Sequence, residues 1–354
     1  MPLNPYFFTS PDPGSIYTRV FSFLNPSSFL EAAKLTHFFV DKKASAAKET
    51  SLDLAHSLDE IKKSCTDIFS HDDTFLSAKA ERMGDGLTNA CFKLKTGMGT
   101  YFLRVPGKGS SEHLSREDEA YNIEVARSLG FNIEIHFLNP KSGMYIGEFL
   151  ENARPLTPTV LAQKQTMLDV AAVLKTLHTN QMLFKNTIDI FTRLNNLLEK
   201  IDSYQHQLIA DRSRLNHVLG QLNQICQKDT SKLVACHNDT TPLNFLYHDN
   251  RLRLLDWEYS GNNKALFDLA NFALISKLPA ENELWLLEAY YQHPPSDQLL
   301  ECFEAYKQLT HLWYYLWAEL QIANGSDIVP RDDLIKLAEE HWHAVEQTQI
   351  GLKI

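Results

Sequence analysis

Two acidic residues and an amide, separated by short intervals, have the types and spacing that phosphoryl transfer requires. Asp239 and Asn244 lie in the segment HNDTTPLN, and Asp256 ends the next hydrophobic run. Phosphoryl transfer to a hydroxyl needs a base for the hydroxyl proton and oxygen ligands for Mg²⁺. Asp239 suits the base, Asn244 supplies an amide oxygen and Asp256 a carboxylate. We expect the loop to turn back so that Asp239 and Asn244 face one cleft, with His237 bracing the loop backbone.

The spacing from His237 to Asn244 matches the H-x-D-x-x-x-x-N pattern of a kinase catalytic loop. An isolated H-x-D would carry no information, but here a polar turn and a hydrophobic strand lead on to Asp256. The segments CHNDTTPLNFLY and LLDWEYSGNNKALFDLANF resemble the catalytic loop, the metal-binding motif and the trailing acidic motif of choline and ethanolamine kinases. That family belongs to the aminoglycoside-phosphotransferase-like group. The resemblance implies a kinase for a small alcohol that uses ATP and Mg²⁺, with Glu258 as a further metal ligand.

The resemblance extends upstream to segments with which the family binds ATP. GLTNACFKL is similar to the phosphate loop, and YFLRVPGKG carries Arg104 where protein kinases have lysine. Glu119 is the expected carboxylate partner of Arg104, with a solvated helix charge as the alternative. MYIGEFL resembles the hinge strand, whose backbone would bind adenine. The residues implied in ATP binding are Gly86, Leu87, Thr88, Asn89, Arg104, Glu119, Glu148, Phe149 and Leu150.

Aromatic residues downstream resemble the choline pocket of the family. The segment LTHLWYYLWAELQ, residues 309–321, is similar to the family's aromatic helix, in which Tyr314 and Trp317 match pocket positions. Aromatic faces hold a quaternary ammonium by cation–π attraction. Aromatic residues at helical spacing are more often core residues, so packing is the alternative. The predicted substrate residues are Asp239, Trp257, Tyr259, Tyr314 and Trp317, and Tyr290 or Tyr291 is a candidate for a further aromatic.

The order of elements predicts an α+β chain with a bilobal protein-kinase-like fold, preceded by a small helical region. Short β-like runs punctuated by glycine surround one helix from about Ser115 to Leu129. Further β-like runs at 233–236, 245–247 and 252–256 interrupt a mainly helical remainder. The predicted regions are a helical F-box-like region at 1–50, a helical linker at 51–76, a kinase N-lobe at 77–152 and a kinase C-lobe at 153–354.

The N-terminal segment PDPGSIYTRVFSFLNPSSFLEAAKLTHFF resembles an F-box. F-boxes bury apolar helix faces against the adaptor of cullin-type ubiquitin ligases. The resemblance therefore implies that adaptor as a partner through residues 10–45, and a bacterial effector delivered into a host cytosol. A helical cap on the kinase domain is the alternative interpretation.

Composition excludes several classes of protein. The net charge of −10 argues against nucleic acid as a partner. No apolar run is long enough for a transmembrane helix, and no signal peptide is visible. Five cysteines without CxxC spacing indicate reduced thiols in the cytoplasm.

Two other functions compete with a choline or ethanolamine kinase. The first is a kinase for thiamine or an aminoglycoside; the aromatic helix favours choline, because aminoglycoside pockets need several carboxylates. The second is a docking protein that combines an F-box with a kinase-like domain. The complete set of catalytic positions opposes the docking protein, and Asp85, which replaces the first glycine of the phosphate loop, leaves room for it.

Overall fold

The computed structural model describes residues 79–83, 89–106, 114–325 and 329–348. Outside these residues lie the F-box-like segment 10–45, the linker 51–76 and three phosphate-loop residues, Gly86, Leu87 and Thr88. The interpretations of these segments, including the ubiquitin-ligase adaptor as a partner, stay predictions.

The N-terminal part of the described chain is an antiparallel sheet with strand order β1-β2-β3-β5-β4. Its strands are β1 Lys79–Arg82, β2 Asn89–Lys95, β3 Thr100–Pro106, β4 Ile135–Leu138 and β5 Tyr145–Glu148. Phe92 of β2 pairs with Leu103 of β3, and Leu103 pairs with Ile146 of β5. Together with Leu94 and Met144 these side chains form a buried cluster. The register is fixed because a shift by one residue would turn this face toward solvent.

Helix α1 (Arg116–Ser128) lies between β3 and β4 in the chain. The Ser115 side chain caps it by accepting a hydrogen bond from the backbone N–H of Asp118. Three acidic residues in the first turn interact favourably with the positive end of the helix dipole. Beyond the last turn Gly130 has a φ of 77°, a conformation that glycine adopts without steric cost. The helix therefore matches the predicted one, and it carries Glu119.

The C-terminal part is mainly helical, as predicted. Its helices are α2 Pro158–Leu161, α3 Lys164–Thr179, α4 Ile190–Ser203, α5 Arg212–Cys226, α6 Ala265–Ile275, α7 Ala280–Tyr291, α8 Asp297–Ala323 and α9 Arg331–Gln347. Helix α8 packs against α4, α5, α6 and α9. Leu309, Leu312, Leu316 and Leu320 of α8 are fully buried, at the three- and four-residue spacing of one helix face. Within the described segments, no helix combines the length and apolar character needed to cross a membrane.

Short strands frame the loops that carry the predicted catalytic residues. Strand β6 (Arg154–Pro155) pairs with β8 (Phe245–His248), and β8 pairs with β9 (Arg251–Leu254). Strand β7 (Leu233–Cys236) pairs with β10 (Gly261–Lys264). The runs predicted at 233–236, 245–247 and 252–256 correspond to β7, β8 and β9. The pairing brings the loop after β7 beside the turn after β9.

Candidate active site

One buried carboxylate holds the loop at residues 237–244, between β7 and β8. Asp268 of α6 accepts hydrogen bonds from the backbone N–H groups of His237 and Asn238, each at 2.7 Å. The ring of His178, on α3, contributes Nε2 at 3.0 Å from the same carboxylate. Asp268 is fully buried, so water cannot reach its charge, and these three donors stabilise it instead. This arrangement fixes the start of the loop relative to α3 and α6.

Asn238 turns the chain just before the predicted base. Its φ is 63°, in the left-handed region that asparagine adopts more readily than most residues. Its side-chain amide donates to the carbonyl oxygens of Cys236, Tyr259 and Gly261. The loop is thereby joined to the turn after β9. Sequence reasoning missed both Asn238 and Asp268, although both lie in the quoted motifs, because spacing alone does not reveal hydrogen-bond partners.

Asp239 contacts both Asn244 of its own loop and Tyr314 of helix α8. The Nδ2 of Asn244 donates to the backbone carbonyl of Asp239 at 2.8 Å and to its Oδ2 at 3.1 Å. The hydroxyl of Tyr314, on α8, donates to Oδ1 at 3.4 Å. Burial, followed by the nearby Glu258 carboxylate, raises the pKa of Asp239 to about 6, although the hydrogen bonds from Asn244 and Tyr314 lower it. A carboxylate with a pKa in this range is well suited to accept a proton near neutral pH.

His237 occupies the bracing position that the sequence predicts. Its Nε2 lies 2.9 Å from the carbonyl oxygen of Leu255, and its Nδ1 accepts from the backbone N–H of Asp239 at 3.3 Å. Burial lowers the pKa of His237, which favours a neutral ring that donates through Nε2. The ring therefore links the catalytic loop to the strand end before Asp256.

The position of Trp257 differs from the prediction of a substrate contact. Its side chain is 1% exposed, and its Nε1 donates to the carbonyl oxygen of Leu254. Its ring meets those of His237 and Phe184 edge-on, at centroid distances of 4.7 and 6.0 Å. The chain turns sharply at Asp256, and the residue that follows enters the core behind the loop.

Asp256 begins the turn after β9 in a left-handed conformation, with φ of 65° and ψ of 70°. Non-glycine residues rarely adopt this conformation, and functional sites are where it most often persists. The side chain is 34% exposed, and its Oδ1 accepts from Nη1 of Arg104 at 2.8 Å. Partial burial, followed by the nearby Glu258 carboxylate, raises the pKa of Asp256, while Arg104 lowers it.

The residues predicted to hold Mg²⁺ supply the oxygen donors that this ion prefers. Asn244 uses its Nδ2 on Asp239, so its amide oxygen remains as the ligand atom. Burial raises the pKa values of Asp239 and Asp256, and the nearby Glu258 carboxylate raises both further, so a divalent cation would stabilise the ionised carboxylates. The donor set therefore fits Mg²⁺. Glu258 accepts from Nδ2 of Asn89 at 2.9 Å, and its role as a metal ligand stays a prediction.

A buried ion network joins α1 and β3 to the turn after β9. Arg104 is 1% exposed and pairs with Glu119 as well as with Asp256. Arg116 bridges Glu119 at 2.7 Å and Glu258 at 3.3 Å. The predicted pairing of Arg104 with Glu119 is therefore present, whereas Arg116 was missed because its contact with Glu258 joins segments that are distant in the sequence. The contacts of Asn89 and Arg104 with phosphate stay predictions.

The predicted hinge, residues 148–150, leads from the sheet into the C-terminal part. Glu148 is the last residue of β5, and Leu150 packs in a cluster with Ile133 and Tyr145. The ring of Phe149 lies under the ammonium of Lys93, at 4.1 Å from the ring centroid. These contacts fix the segment between the two parts. A hydrogen bond from its backbone to adenine stays a prediction.

Aromatic rings cluster beside Asp239. Tyr259 follows the Asp256 turn, and Trp313 and Tyr314 are neighbours on α8. The rings of Tyr259 and Trp313 meet edge-on at 5.8 Å. Trp317 lies on the same helix and is half-buried. Trp313 was missed, although it lies in the quoted aromatic segment.

Tyr290, one of the candidates for a further aromatic, lies away from this cluster. It is buried on α7, and its hydroxyl bonds to Nδ1 of His178, whose ring also holds Asp268. Tyr291 packs against the ring of Tyr290 at 4.9 Å. Tyr290 therefore supports the catalytic loop through His178.

Replacing His341 with leucine is expected to weaken acceptor binding, because His341 packs against Tyr314, a residue that the sequence predicts to contact the substrate. The His341 ring, on α9, stacks on Tyr314 at 5.2 Å with an interplanar angle of 17°, and its Nδ1 lies 2.8 Å from Nδ1 of His311. Loss of an aromatic contact of this kind corresponds to a KM for the acceptor roughly fivefold higher. Steady-state kinetics at saturating ATP would measure it.

His341→Phe keeps the stacked ring and is expected to recover most of the lost affinity. His343→Leu, at an exposed position on the same helix, is the matched control. A leucine variant with the KM of the wild type would show that the stacking does not position Tyr314.

Comparison with sequence models of protein families identifies the relatives of this chain. The model of the choline/ethanolamine kinases matches residues 80–276, which include the catalytic loop and the Asp256 turn. The chain belongs to the choline/ethanolamine kinase family. LicA of Haemophilus influenzae is 30% identical over 269 residues, which span 72% of this chain and 78% of LicA. Ethanolamine kinase 2 of Rattus norvegicus is 26% identical over 273 residues, with 69% of this chain and 70% of that protein covered.

A solved structure of the family has the same architecture. The choline kinase LicA from Streptococcus pneumoniae superimposes with a TM-score of 0.67 at 25% identity and covers 83% of this chain and 100% of its own. The predicted α+β, protein-kinase-like fold is therefore confirmed. As a member of the choline/ethanolamine kinase family, the protein is a phosphotransferase with an alcohol group as acceptor.

Proposed function

We propose that the protein transfers the γ-phosphate of ATP to the hydroxyl group of choline or ethanolamine, with Asp239 as the general base. One observation carries this proposal. The Asp239 carboxylate contacts Asn244, on the side of the predicted metal ligands, and Tyr314, on the side of the aromatic cluster. The predicted phosphate-binding side and the predicted acceptor-binding side of the site both contact this one carboxylate, which supports its assignment as the base.

In the proposed reaction the hydroxyl oxygen of the acceptor attacks the γ-phosphorus of ATP. As this oxygen forms its bond to the γ-phosphorus, its proton passes to the Asp239 carboxylate, and the bond between the γ-phosphorus and the bridging oxygen breaks to release ADP. Mg²⁺, held by Asn244 and Asp256, would supply positive charge to the phosphate oxygens. Arg104 orients Asp256 through their ion pair. His237 keeps the loop in place without taking part in proton transfer.

The acceptor side of the site supports a small cation. Tyr259, Trp313 and Tyr314 present aromatic rings near Asp239, and such rings attract ammonium groups. The nearby carboxylates of Glu258 and Asp239 add negative charge to this side of the site. In addition to burial, both raise the pKa of Tyr259. An acceptor that carries an ammonium group next to its hydroxyl matches both features.

The proposal is tested by measuring ADP release from Mg·ATP with a panel of acceptors. Choline, ethanolamine, thiamine and an aminoglycoside should each be offered to the full chain. We expect ADP release that depends on choline or ethanolamine and saturates with either. Turnover with thiamine or the aminoglycoside alone would retain the mechanism and reject the acceptor. Binding of Mg·ATP without turnover of any acceptor would contradict the proposal.

The rate is expected to depend on pH through Asp239. This carboxylate must be ionised to accept the proton, and its raised pKa of about 6 brings protonation close to neutrality. The value of kcat/KM should therefore fall as the pH decreases through about 6, approaching a tenfold loss per pH unit below it. A profile of kcat/KM against pH measures the inflection.

Tyr314→Phe provides an internal check on this assignment. The Tyr314 hydroxyl lowers the pKa of Asp239 by its hydrogen bond, so its removal should move the inflection to higher pH. The phenylalanine ring preserves the aromatic surface. An inflection that remains in place in this variant would assign the pH dependence to another group.

A further inference from the structure

Arg193 lies in the aromatic cluster, although no sequence motif predicted it there. It lies in the first turn of α4, which the Asp189 side chain caps. Its guanidinium carbon lies over the rings of Tyr259 and Trp313, at 5.1 and 4.7 Å from their centroids. Both distances are within the range of a cation–π interaction. A positive charge that belongs to the chain itself therefore lies against two rings of the cluster.

These two rings lie close to the proposed reaction centre. Tyr259 follows Glu258 and lies three residues after Asp256, and Trp313 precedes the tyrosine that bonds to Asp239. Only two carbon atoms separate the ammonium group from the hydroxyl in choline and in ethanolamine. An acceptor whose hydroxyl reaches Asp239 must therefore place its ammonium group near this part of the cluster.

The charge of Arg193 has no direct counter-ion in the described part of the chain. It forms no ion pair there, and its guanidinium lies over the two rings, while the more distant carboxylates of Asp239 and Glu258 attract it through space. Arginine stays protonated in proteins, so this charge cannot be removed by titration. A second cation at the same rings would meet both a filled site and like-charge repulsion.

A neighbouring cavity offers the Arg193 side chain a second position. The cavity has a volume of about 270 Å³ and lies between the beginnings of α1 and α4. Arg193 lines it together with Asp118, Glu119, Asp189 and Glu258. A guanidinium that leaves the rings would therefore enter a space bordered by carboxylates, which suits its charge.

We propose that Arg193 is a specificity-determining residue, an internal cation that competes with the acceptor's ammonium group for the rings of Tyr259 and Trp313. This inference rests on the proposed function for its choice of acceptor. A cationic acceptor binds only when Arg193 turns from the rings into the carboxylate-lined cavity. Arg193 thereby sets the affinity for the acceptor.

The decisive experiment compares a neutral and a charged replacement in the full chain. Arg193→Met removes the charge, and Arg193→Lys keeps it while altering the packing in a similar way. Binding of tetramethylammonium, measured without ATP by tryptophan fluorescence, should be roughly tenfold tighter in the methionine variant than in the wild type or the lysine variant. The KM for choline should fall in parallel, and by more than kcat changes.

A matched control and a second neutral variant complete the design. Arg212→Met alters an exposed arginine on α5 that pairs with Asp202, and it should leave both binding and KM unchanged. Arg193→Gln provides the neutral side chain if the methionine variant does not fold. Equal tetramethylammonium affinity in the neutral and lysine variants, or weaker binding in the neutral variants, would overturn the inference. If no protein phosphorylates choline or ethanolamine, the proposed function fails, while the tetramethylammonium titration still decides the role of Arg193.

Discussion

Replacing Asp239 with asparagine is expected to lower kcat by about a thousandfold. The amide keeps the size of the side chain and can still accept the hydrogen bond that Asn244 donates at 3.1 Å. It cannot accept the proton of the acceptor hydroxyl, and general-base catalysis contributes on this scale. Initial rates of ADP release at saturating ATP and acceptor would measure the loss, and affinity for ATP should change much less.

Asp249→Asn is the control for this substitution. Asp249 lies in the β8–β9 turn with its side chain 82% exposed, and it has a φ of 49°, which asparagine tolerates. The control should retain the activity of the wild type. An Asp239→Asn enzyme with more than a tenth of the wild-type kcat would assign the proton to another acceptor.

Replacing Asp268 with asparagine is expected to lower the free energy of unfolding by about 3 kcal/mol, because buried hydrogen bonds to a charge are lost. The carboxylate accepts from the backbone N–H groups of His237 and Asn238 and contacts His178 Nε2. An amide has one accepting oxygen and directs an NH₂ group at the remaining donors. Urea unfolding of the full chain, followed by tryptophan fluorescence, measures the change.

The same substitution should also reduce kcat, because the loop that carries Asp239 loses its anchor. Asp202→Asn removes a carboxylate from an exposed ion pair with Arg212 and should change the free energy of unfolding by less than about 0.5 kcal/mol. A variant of Asp268 as stable as this control would mean that other contacts hold the loop. In that case the support assigned to His178 and α6 would be wrong.

The local patterns in the sequence predicted the parts of the fold that depend on neighbouring residues. The helix after Ser115 begins and ends near the predicted positions, because a capping side chain and a glycine mark both ends. The strands around the catalytic loop also appear where short apolar runs predicted them. The spacing from His237 to Asn244 identified the loop, since its side chains interact within a few residues of one another.

Contacts between distant segments could not be predicted in the same way. Arg193 meets Tyr259 and Trp313 only because α4, the Asp256 turn and α8 converge in the folded chain. Asp268 reaches the catalytic loop from a helix about 30 residues further along the chain. Arg193 has no local signal that separates it from an ordinary helix residue, and the motif that contains Asp268 does not reveal which backbone groups this carboxylate binds.

Trp257 lies in a motif and was predicted to contact the substrate, but its side chain is buried in the core. It lies between Asp256, which is partly exposed, and Tyr259, whose ring contacts Arg193. The left-handed turn at Asp256 nevertheless sends the tryptophan into the core, against His237. The direction of a side chain after such a turn depends on backbone angles that residue types alone do not reveal.

The central claim, phosphoryl transfer to choline or ethanolamine at Asp239, is tested most directly by identifying the product. The wild-type chain and the Asp239→Asn variant should be incubated with Mg·ATP and each acceptor and followed by ³¹P NMR. We predict a phosphomonoester signal from phosphocholine or phosphoethanolamine that grows with the ADP signals in the wild type and is nearly absent in the variant. ADP formation without a phosphorylated acceptor, or equal product from both proteins, would contradict the account.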